Sequence, residues 1–201
     1  MEPIKVTAPK LINEAVPWFR RRRLPIRGAL VHAIGQGVIV GGEGSIYVVE
    51  FLRTSPELIG SSISTHRLVH PRGEISICVS DDRVAFHAGE SQFDELRNLN
   101  ETFLGLELIV EGEWEYSEFV KALDSGENLY SEEQYFSAGW QCAQWMMEHK
   151  FGRDRIASHS LVAGDDVRGP GLGKHDPGTG FSWLELQEQI SFHLEAAGHI
   201  G

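Results

Sequence analysis

Residues 29–34 read Ala-Leu-Val-His-Ala-Ile, a short and mostly apolar run bounded by Gly28 and Gly35. A run of this length between glycines is typical of a buried β-strand. His32 interrupts the apolar character, and a histidine inside such a strand needs a polar partner. The run therefore predicts a buried strand and marks His32 as a candidate functional residue.

Two further strands are indicated by residues 74–79 and residues 103–110. The second run is almost continuously apolar, as the central strands of a sheet are. Glu107 lies within it, where an apolar residue is expected. Each of the two clearest strands thus carries one polar residue that its local pattern does not explain.

Helices are predicted toward the C-terminus. Ser131 followed by Gln134 has the spacing of a capping box and opens an amphipathic helix over residues 132–150. Ser182 with Glu185 opens a second, closing helix in the same way.

Residues 44–52 are ambiguous, because their β-branched residues favour a strand and the spacing of Ile46, Val49 and Leu52 favours a helix. A helix is the preferred interpretation. Since strands and helices intermingle along the chain, the predicted fold is an α/β domain with a central mixed β-sheet and helices packed on it.

The composition suits one compact domain, with 201 residues of which 41% are hydrophobic. Eighteen basic residues against 29 acidic ones give a net charge of −11, which argues against nucleic acid or an anionic membrane surface as the main partner. The run Arg20–Arg23 is the exception. It is interpreted either as a solvated surface turn or as a contact for an acidic partner.

The two cysteines, Cys78 and Cys142, lie in apolar surroundings and are expected to be buried thiols. The N-terminus lacks the pattern of a secretory signal, and no stretch approaches the length of a membrane span, so membrane insertion is not expected. The chain is expected to be cytoplasmic as synthesised, which leaves its place of action open.

Three positions are unusual for ordinary core residues: His32 in its strand, His159 after a predicted helix, and Asp176 in a glycine-rich loop. They are candidate metal ligands. The alternative is a core histidine satisfied by a backbone carbonyl, or an aspartate that closes a turn. No compact His-x-x-x-His pair decides between the two interpretations.

Short sequence motifs follow one another in a specific order along the chain. They are Val31-His32, Ser64-Thr65-His66, Arg72-Gly73-Glu74-Ile75, Ala85-Phe86-His87-Ala88-Gly89-Glu90-Ser91, Asn100, Leu104-Gly105-Leu106-Glu107-Leu108, Arg155-Ile156-Ala157-Ser158-His159-Ser160 and Lys174-His175-Asp176-Pro177-Gly178. In this order and spacing they resemble the type 2 N-acetylmuramoyl-L-alanine amidases, a family that includes phage zinc amidases, muropeptide-recycling amidases and peptidoglycan recognition proteins. The resemblance covers about residues 27–195.

The resemblance implies that His32, His159 and Asp176 bind a Zn²⁺ ion and leave a fourth position for water, as catalytic zinc sites do. It assigns Glu107 as the general base that takes a proton from that water. Lys174 corresponds to a family lysine that stabilises an oxyanion, with a surface lysine as the alternative.

Two further residues are substrate-binding candidates by the same resemblance. His87 would line the substrate side of the zinc, or would be a hydrogen-bonded structural histidine, and Asn100 would contact the peptide stem. His66 is interpreted as structural. The remaining histidines are interpreted as surface or packing residues: His70, His149, His175, His193 and His199. Phe86 departs from the family pattern, which usually has tryptophan there.

The implied function is hydrolysis of the amide bond between N-acetylmuramic acid and L-alanine, in peptidoglycan or soluble muropeptides, by a zinc hydrolase. The alternatives are a non-catalytic peptidoglycan-recognition module of the same fold and an interaction protein with structural zinc and a fourth protein ligand. The expected organisation is an N-terminal extension over residues 1–26 that packs on an amidase domain over residues 27–201.

The biological setting stays open between recycling, phage lysis and attack on rival cells, the last two requiring release or dedicated export of the chain. The sequence leaves the oligomeric state open as well. Residues 36–61 have no sharp match to the family and are candidates for shaping the substrate groove.

Overall fold

A seven-stranded mixed β-sheet organises the protein in the computed structural model, which describes residues 7–42 and 44–199. The strands are β1 (Leu11–Asn13), β2 (Phe19–Arg21), β3 (Gly28–Ile39), β4 (Ser45–Tyr47), β5 (Arg67–Val69), β6 (Ile75–Ile77), β7 (Arg83–Ala85), β8 (Gln92–Phe93), β9 (Leu96–Arg97), β10 (Phe103–Trp114) and β11 (Ile156–Ser158). The helices are α1 (Val48–Ile59), α2 (Tyr116–Leu123), α3 (Glu132–His149), α4 (His159–Val162), α5 (Asp165–Arg168) and α6 (Trp183–Ala196), with short 3-10 turns at Leu99–Glu101 and Arg153–Arg155.

The strand order in the main sheet is β1-β6-β5-β10-β3-β11, and β4 adds an antiparallel partner to β3. Strand β10 is parallel to both β3 and β5, and β11 is parallel to β3. Strands β5 and β6 are antiparallel. The mixed sheet with helices packed on it confirms the predicted α/β fold.

The two faces of β3 and β10 have different roles. On one face Val31, Leu106 and Leu108 belong to the main apolar core, which also contains Trp145 of α3 and Leu186 of α6. Burying such side chains is the dominant favourable contribution to folding. This face therefore holds the sheet against its helices.

The opposite face carries two smaller apolar clusters. Leu30 and Phe103 belong to one of them, and Ile109 belongs to the other. His32 lies on the same face as Leu30, because side chains two residues apart along a strand point the same way. His32 thus lies between two apolar clusters, which fix the backbone of β3 on both sides of this residue.

Helices α3 and α6 begin where the capping patterns predict. Ser131 accepts a hydrogen bond from the Gln134 backbone N–H, and the Gln134 side chain accepts one from the Ser131 N–H. Ser182 likewise accepts from the Glu185 N–H. Both predicted helices are confirmed, and α3 ends one residue before its predicted end at residue 150.

Other local predictions need correction. Residues 45–47 form β4 and the helix starts only at Val48, so the preference for a helix over residues 44–52 is wrong in its first half. Strand β3 does not stop at Gly35 but continues to Ile39 and pairs there with β4. The strand predicted at residues 74–79 is shorter, Ile75–Ile77.

The N-terminal residues join the sheet system. Strand β1 pairs in parallel with β6, and Val16 is 1% exposed within an apolar cluster. Residues 1–6 of the expected N-terminal extension, and the last two residues of the expected amidase domain, lie outside the described residues.

Arg22 corrects the interpretation of the arginine run as a solvated turn. Residues 19–21 form strand β2, which pairs with β7, and the Arg22 side chain turns inward. It donates to the backbone carbonyls of Asp81, Glu101 and Arg83 at 3.0, 2.7 and 2.7 Å. Burial lowers the pKa of Arg22 to about 10, against the opposing charges of Asp81 and the neighbouring Asp82. Arg22 therefore holds together the segments that contain these three carbonyls.

Both cysteines are buried free thiols, as the sequence predicts. Among the described residues, none of the helices has the length and apolar character needed to cross a bilayer.

Candidate metal centre

Three neighbouring strands bring candidate residues to one level of the sheet. Glu107 of β10 is the register partner of His32 on β3. On the other side of β3, Ser158 of β11 pairs with Val31, so that His159 follows at the level of His32. Neighbouring strands lie about 4.8 Å apart. His159 therefore follows a strand and opens α4, and the sequence expectation that it follows a helix is wrong.

Asp176 completes the cluster from the loop between α5 and α6. Its Oδ2 atom lies 3.1 Å from Nδ1 of His32, and its two carboxylate oxygens lie 3.1 and 3.0 Å from Nδ1 of His159. One ligand atom from each of the three residues falls within 4.8 Å of the others. The Ser160 backbone N–H donates to the Asp176 carbonyl at 2.9 Å, which ties the loop to α4. The structure thus brings together the three residues that the sequence marks as candidate ligands.

The donor set fits a divalent cation. A neutral imidazole carries one N–H, and Nε2 of His159 lies 3.1 Å from the Ala88 carbonyl, which can only accept. Nδ1 of His159 therefore presents a lone pair to the Asp176 carboxylate, and two electron-rich atoms at this distance are stabilised by a shared cation. Two imidazole nitrogens with a carboxylate oxygen are an ordinary zinc donor set.

Burial sets the charge state of these groups. Burial, and then the charge of His159, lower the pKa of His32 to about 4 against the opposing effect of Asp176. Burial also acts to raise the pKa of Asp176, but the charges and hydrogen bonds of His159 and His32 hold it below its ordinary value. At neutral pH the cluster therefore offers a neutral His32 imidazole and a carboxylate, the forms that bind metal.

Glu107 lines the same cavity as the three candidate ligands. Burial raises its pKa well above the ordinary value, and the charge of Asp176 raises it further, while Lys174 lowers it. A carboxylate whose proton affinity is increased in this way is a stronger base, which is the property that general base catalysis uses.

Lys174 approaches the site from the loop that carries Asp176. Its backbone N–H donates to the Ala163 carbonyl at 2.9 Å, and Nζ lies 5.7 Å from the centre of the Tyr116 ring. Burial is the largest influence on the pKa of both Glu107 and His32: it raises the first and lowers the second. The positive charge of Lys174 lowers the pKa of each of these two residues. The ammonium group is thus within electrostatic reach of the cluster.

Comparison with known proteins agrees with this geometry. A family model described as N-acetylmuramoyl-L-alanine amidase matches residues 23–179, which include all three candidate ligands, Glu107 and Lys174. The chain belongs to this amidase family. No curated protein sequence matches it.

Solved structures similar to this amidase share its fold. A selenomethionine derivative of AmpD superimposes with a TM-score of 0.63 at 20% identity, over 94% of this chain and 98% of that one. The Staphylococcus aureus hydrolase AmiA, in complex with its ligand, gives 0.62 at 14% identity, over 98% and 89%. The E. coli amidase AmiD, in complex with the substrate anhydro-N-acetylmuramic acid-L-Ala-D-γ-Glu-L-Lys, gives 0.54 at 19% identity, over 82% and 57%.

The candidate metal site opens into a cavity of about 520 Å³. The ligand cluster, Glu107 and Lys174 line one part of it. Apolar side chains from the end of β3 and from α1 line another part, and Trp114 and Phe119 contribute as well. These side chains come largely from residues 36–61, for which the sequence offers no sharp family match. They carry no reactive group, so sequence reasoning had no chemical signal by which to identify them individually.

His87 and Asn100 lie beside the candidate metal ligands. Nδ1 of His87 is 2.9 Å from Nε2 of His32, and its Nε2 is 3.3 Å from the Phe103 carbonyl. The Asn100 side-chain oxygen accepts from the backbone N–H groups of His87 and Ala88. His87 therefore contacts a candidate metal ligand directly, and Asn100 holds the backbone at residues 87–88.

The other histidines are distributed through the amidase as follows. His66 is fully buried and its Nδ1 accepts from the Gly105 N–H at 2.9 Å, in agreement with a structural role. His193 is also buried, against the Phe136 carbonyl. His149 lies near Asp81 and Glu148 in a second group of metal-binding residue types. There the Arg67 guanidinium lies 2.8 Å from Asp81 Oδ1, so that carboxylate already has a cationic partner.

Proposed function

We propose that this chain hydrolyses the amide bond between the lactyl group of N-acetylmuramic acid and the L-alanine of the stem peptide. His32, His159 and Asp176 would hold a Zn²⁺ ion, with Glu107 as general base and Lys174 as oxyanion stabiliser. One observation carries the proposal: the three ligand atoms converge within 4.8 Å of one another, and Glu107 is the strand neighbour of His32 at the same level.

When bound, zinc supplies Lewis-acid polarisation of the carbonyl and lowers the pKa of coordinated water toward about 7. The Glu107 carboxylate takes a proton from the attacking water as its oxygen bonds to the carbonyl carbon. It then passes that proton to the alanine nitrogen as the C–N bond breaks. The products are a free α-amine and the lactyl carboxylic acid, which keeps the second proton of the water until it ionises and releases that proton to solvent. Glu107 returns to its starting state.

Lys174 acts on the charge that develops during attack. The carbonyl oxygen becomes an oxyanion in the tetrahedral intermediate, and a fixed ammonium group beside it lowers the barrier. Apolar side chains of β3 and α1 line the same cavity as Lys174 and Glu107. Partial exclusion of water strengthens electrostatic interactions inside the cavity.

The proposed substrate is peptidoglycan or a soluble muropeptide. Support comes from the family match and from the similar AmiD fold, which was solved with an anhydro-muropeptide substrate. The net charge of −11 favours small soluble muropeptides over polyanionic walls. Comparing the cleavage of intact sacculi with the cleavage of soluble muropeptides tests this preference.

The decisive experiment is incubation of the zinc-loaded protein with a defined muramoyl peptide. We expect a new N-terminal alanine amine, detected by amine labelling and mass spectrometry, and none after treatment with a chelator. Binding of the muramoyl peptide without release of the amine contradicts hydrolysis and supports the recognition-module alternative.

A further inference from the structure

We propose that the dipeptide His87-Ala88 positions both metal-binding imidazoles, and that Asn100 and Gly105 hold this dipeptide in place. In this role His87 and Asn100 act through the metal ligands and not on the substrate. The inference rests on the proposed zinc site and adds the residues that fix which nitrogen of each imidazole faces the ion.

The side chain of His87 determines the proton position on His32. Nε2 of His87 lies 3.3 Å from the Phe103 carbonyl, which can only accept, so this nitrogen carries the proton of a neutral ring. Nδ1 of His87 is then an acceptor, and it lies 2.9 Å from Nε2 of His32. His32 must therefore donate from Nε2, which leaves its Nδ1 lone pair directed at the Asp176 side of the cluster, 3.1 Å from Oδ2.

The backbone of the next residue does the same for His159. The Ala88 carbonyl accepts from Nε2 of His159 at 3.1 Å, so that Nδ1 of His159 also presents its lone pair to the cluster. One dipeptide thus orients two imidazoles that lie 127 residues apart in sequence at positions 32 and 159. Hydrogen bonds of this kind orient metal-ligating histidines and increase their basicity.

Two residues keep the dipeptide in place. The Asn100 side-chain oxygen accepts from the backbone N–H groups of His87 at 2.9 Å and of Ala88 at 2.7 Å. On β10, a Cβ atom at Gly105 would lie 2.6 Å from Cγ of His87, closer than such contacts occur. Glycine at this position therefore lets the His87 ring lie against the strand, two residues before Glu107.

The same contacts argue against direct substrate binding by these side chains. Both ring nitrogens of His87 are engaged, one with His32 and one with the Phe103 carbonyl. The oxygen of Asn100 already accepts two hydrogen bonds. A substrate group would have to break one of these hydrogen bonds in order to use a ring nitrogen of His87 or the side-chain oxygen of Asn100.

Zinc affinity of the metal-free protein, measured by competition with a chromophoric chelator, tests the proposal. Asn100→Leu removes the acceptor at similar size, and His87→Phe removes both nitrogens while keeping a ring. We expect each to raise the zinc Kd by about 10–100-fold. Asn100→Asp keeps an acceptor oxygen and should stay within about threefold of the wild type. At saturating zinc, kcat should fall in the first two variants while KM for a muramoyl peptide stays nearly constant.

A spectroscopic measurement on the unmodified protein complements the variants. In zinc-loaded protein with ¹⁵N-labelled histidine, we expect His32 and His159 to carry their protons on Nε2, and His87 to carry its proton on Nε2 with Nδ1 unprotonated. This measurement does not depend on the folding of any variant. A proton on Nδ1 of His87 overturns the proposal, as do variants with unchanged zinc Kd and raised KM. A wild-type protein that fails to bind zinc instead refutes the proposed function, which separates the two failures.

Discussion

Glu107 and His32 are register partners on the parallel strands β10 and β3, and both lie within the wall of one cavity. In-register partners on parallel strands project to the same face of the sheet. The backbone ladder therefore sets the distance between a candidate general base and a candidate metal ligand. A strand is a more rigid support for such a pair than two loops would be, because each position is fixed by hydrogen bonds on both sides.

Replacing the Glu107 carboxylate separates metal binding from catalysis. We expect Glu107→Ala, and the closer isostere Glu107→Gln, to keep zinc affinity and to lower kcat by about 100-fold or more, since general base catalysis contributes on that scale. The measurements are a chelator competition assay and the initial rate on a muramoyl peptide. Activity at the wild-type level in either variant would remove Glu107 from the mechanism.

Lys174 offers a test of oxyanion stabilisation. We expect Lys174→Met to lower kcat by about 100-fold or more, because the loss of one oxyanion donor commonly costs this much, while zinc content is unchanged. The matched control is Lys121→Met, which alters an exposed lysine on α2. If both variants retain full turnover, Lys174 is an ordinary surface lysine.

Asp176 provides the test of the metal site itself. Dialysis against a chelator should abolish turnover, and added Zn²⁺ should restore it. Asp176→Asn replaces the anionic ligand by a neutral amide, and we expect it to lose stoichiometric zinc in elemental analysis. Asp166→Asn, at an exposed position of α5, serves as control and should keep the metal. Turnover that persists after complete metal removal contradicts the zinc mechanism.

His66 predicts a pH dependence of stability. Burial, and then the charge of Arg22, hold its pKa well below the ordinary value, so the folded state keeps it neutral. Below the unfolded pKa of about 6.5, the unfolded chain binds the proton and the folded chain does not, so the free energy of unfolding falls as pH decreases. Each such group contributes a slope of about 1.4 kcal/mol per pH unit between its two pKa values.

The test compares urea unfolding of metal-free wild type and His66→Asn at pH 7.5 and pH 5.5. The asparagine oxygen can still accept from the Gly105 N–H, which now bonds Nδ1 of His66. Because His193 and other histidines also have a lowered pKa, only part of the wild-type slope should disappear in the variant. Identical slopes for the two proteins contradict a contribution from His66.

Much of the fold was accessible from local patterns. The capping patterns at Ser131 and Ser182 report a hydrogen bond between residues three apart, so they predict where α3 and α6 begin without knowledge of the rest of the chain. The continuous apolar run of β10 indicates a buried strand for a similar reason. The structure of residues 44–52 was harder to predict, because strand β4 forms only through its pairing with the far end of β3.

The candidate site also has features that the sequence determines and features that only the tertiary structure determines. Sequence motifs and their order determined the α/β class, the family, and the residue types available for chemistry, because these are carried by local patterns and by the resemblance of one chain to others. Tertiary structure decided the remainder: the level at which β10, β3 and β11 align, the convergence of His32, His159 and Asp176, and the contact of one dipeptide with both imidazoles. Strand register and loop closure depend on the packing of segments far apart in the chain, and no local pattern contains those distances.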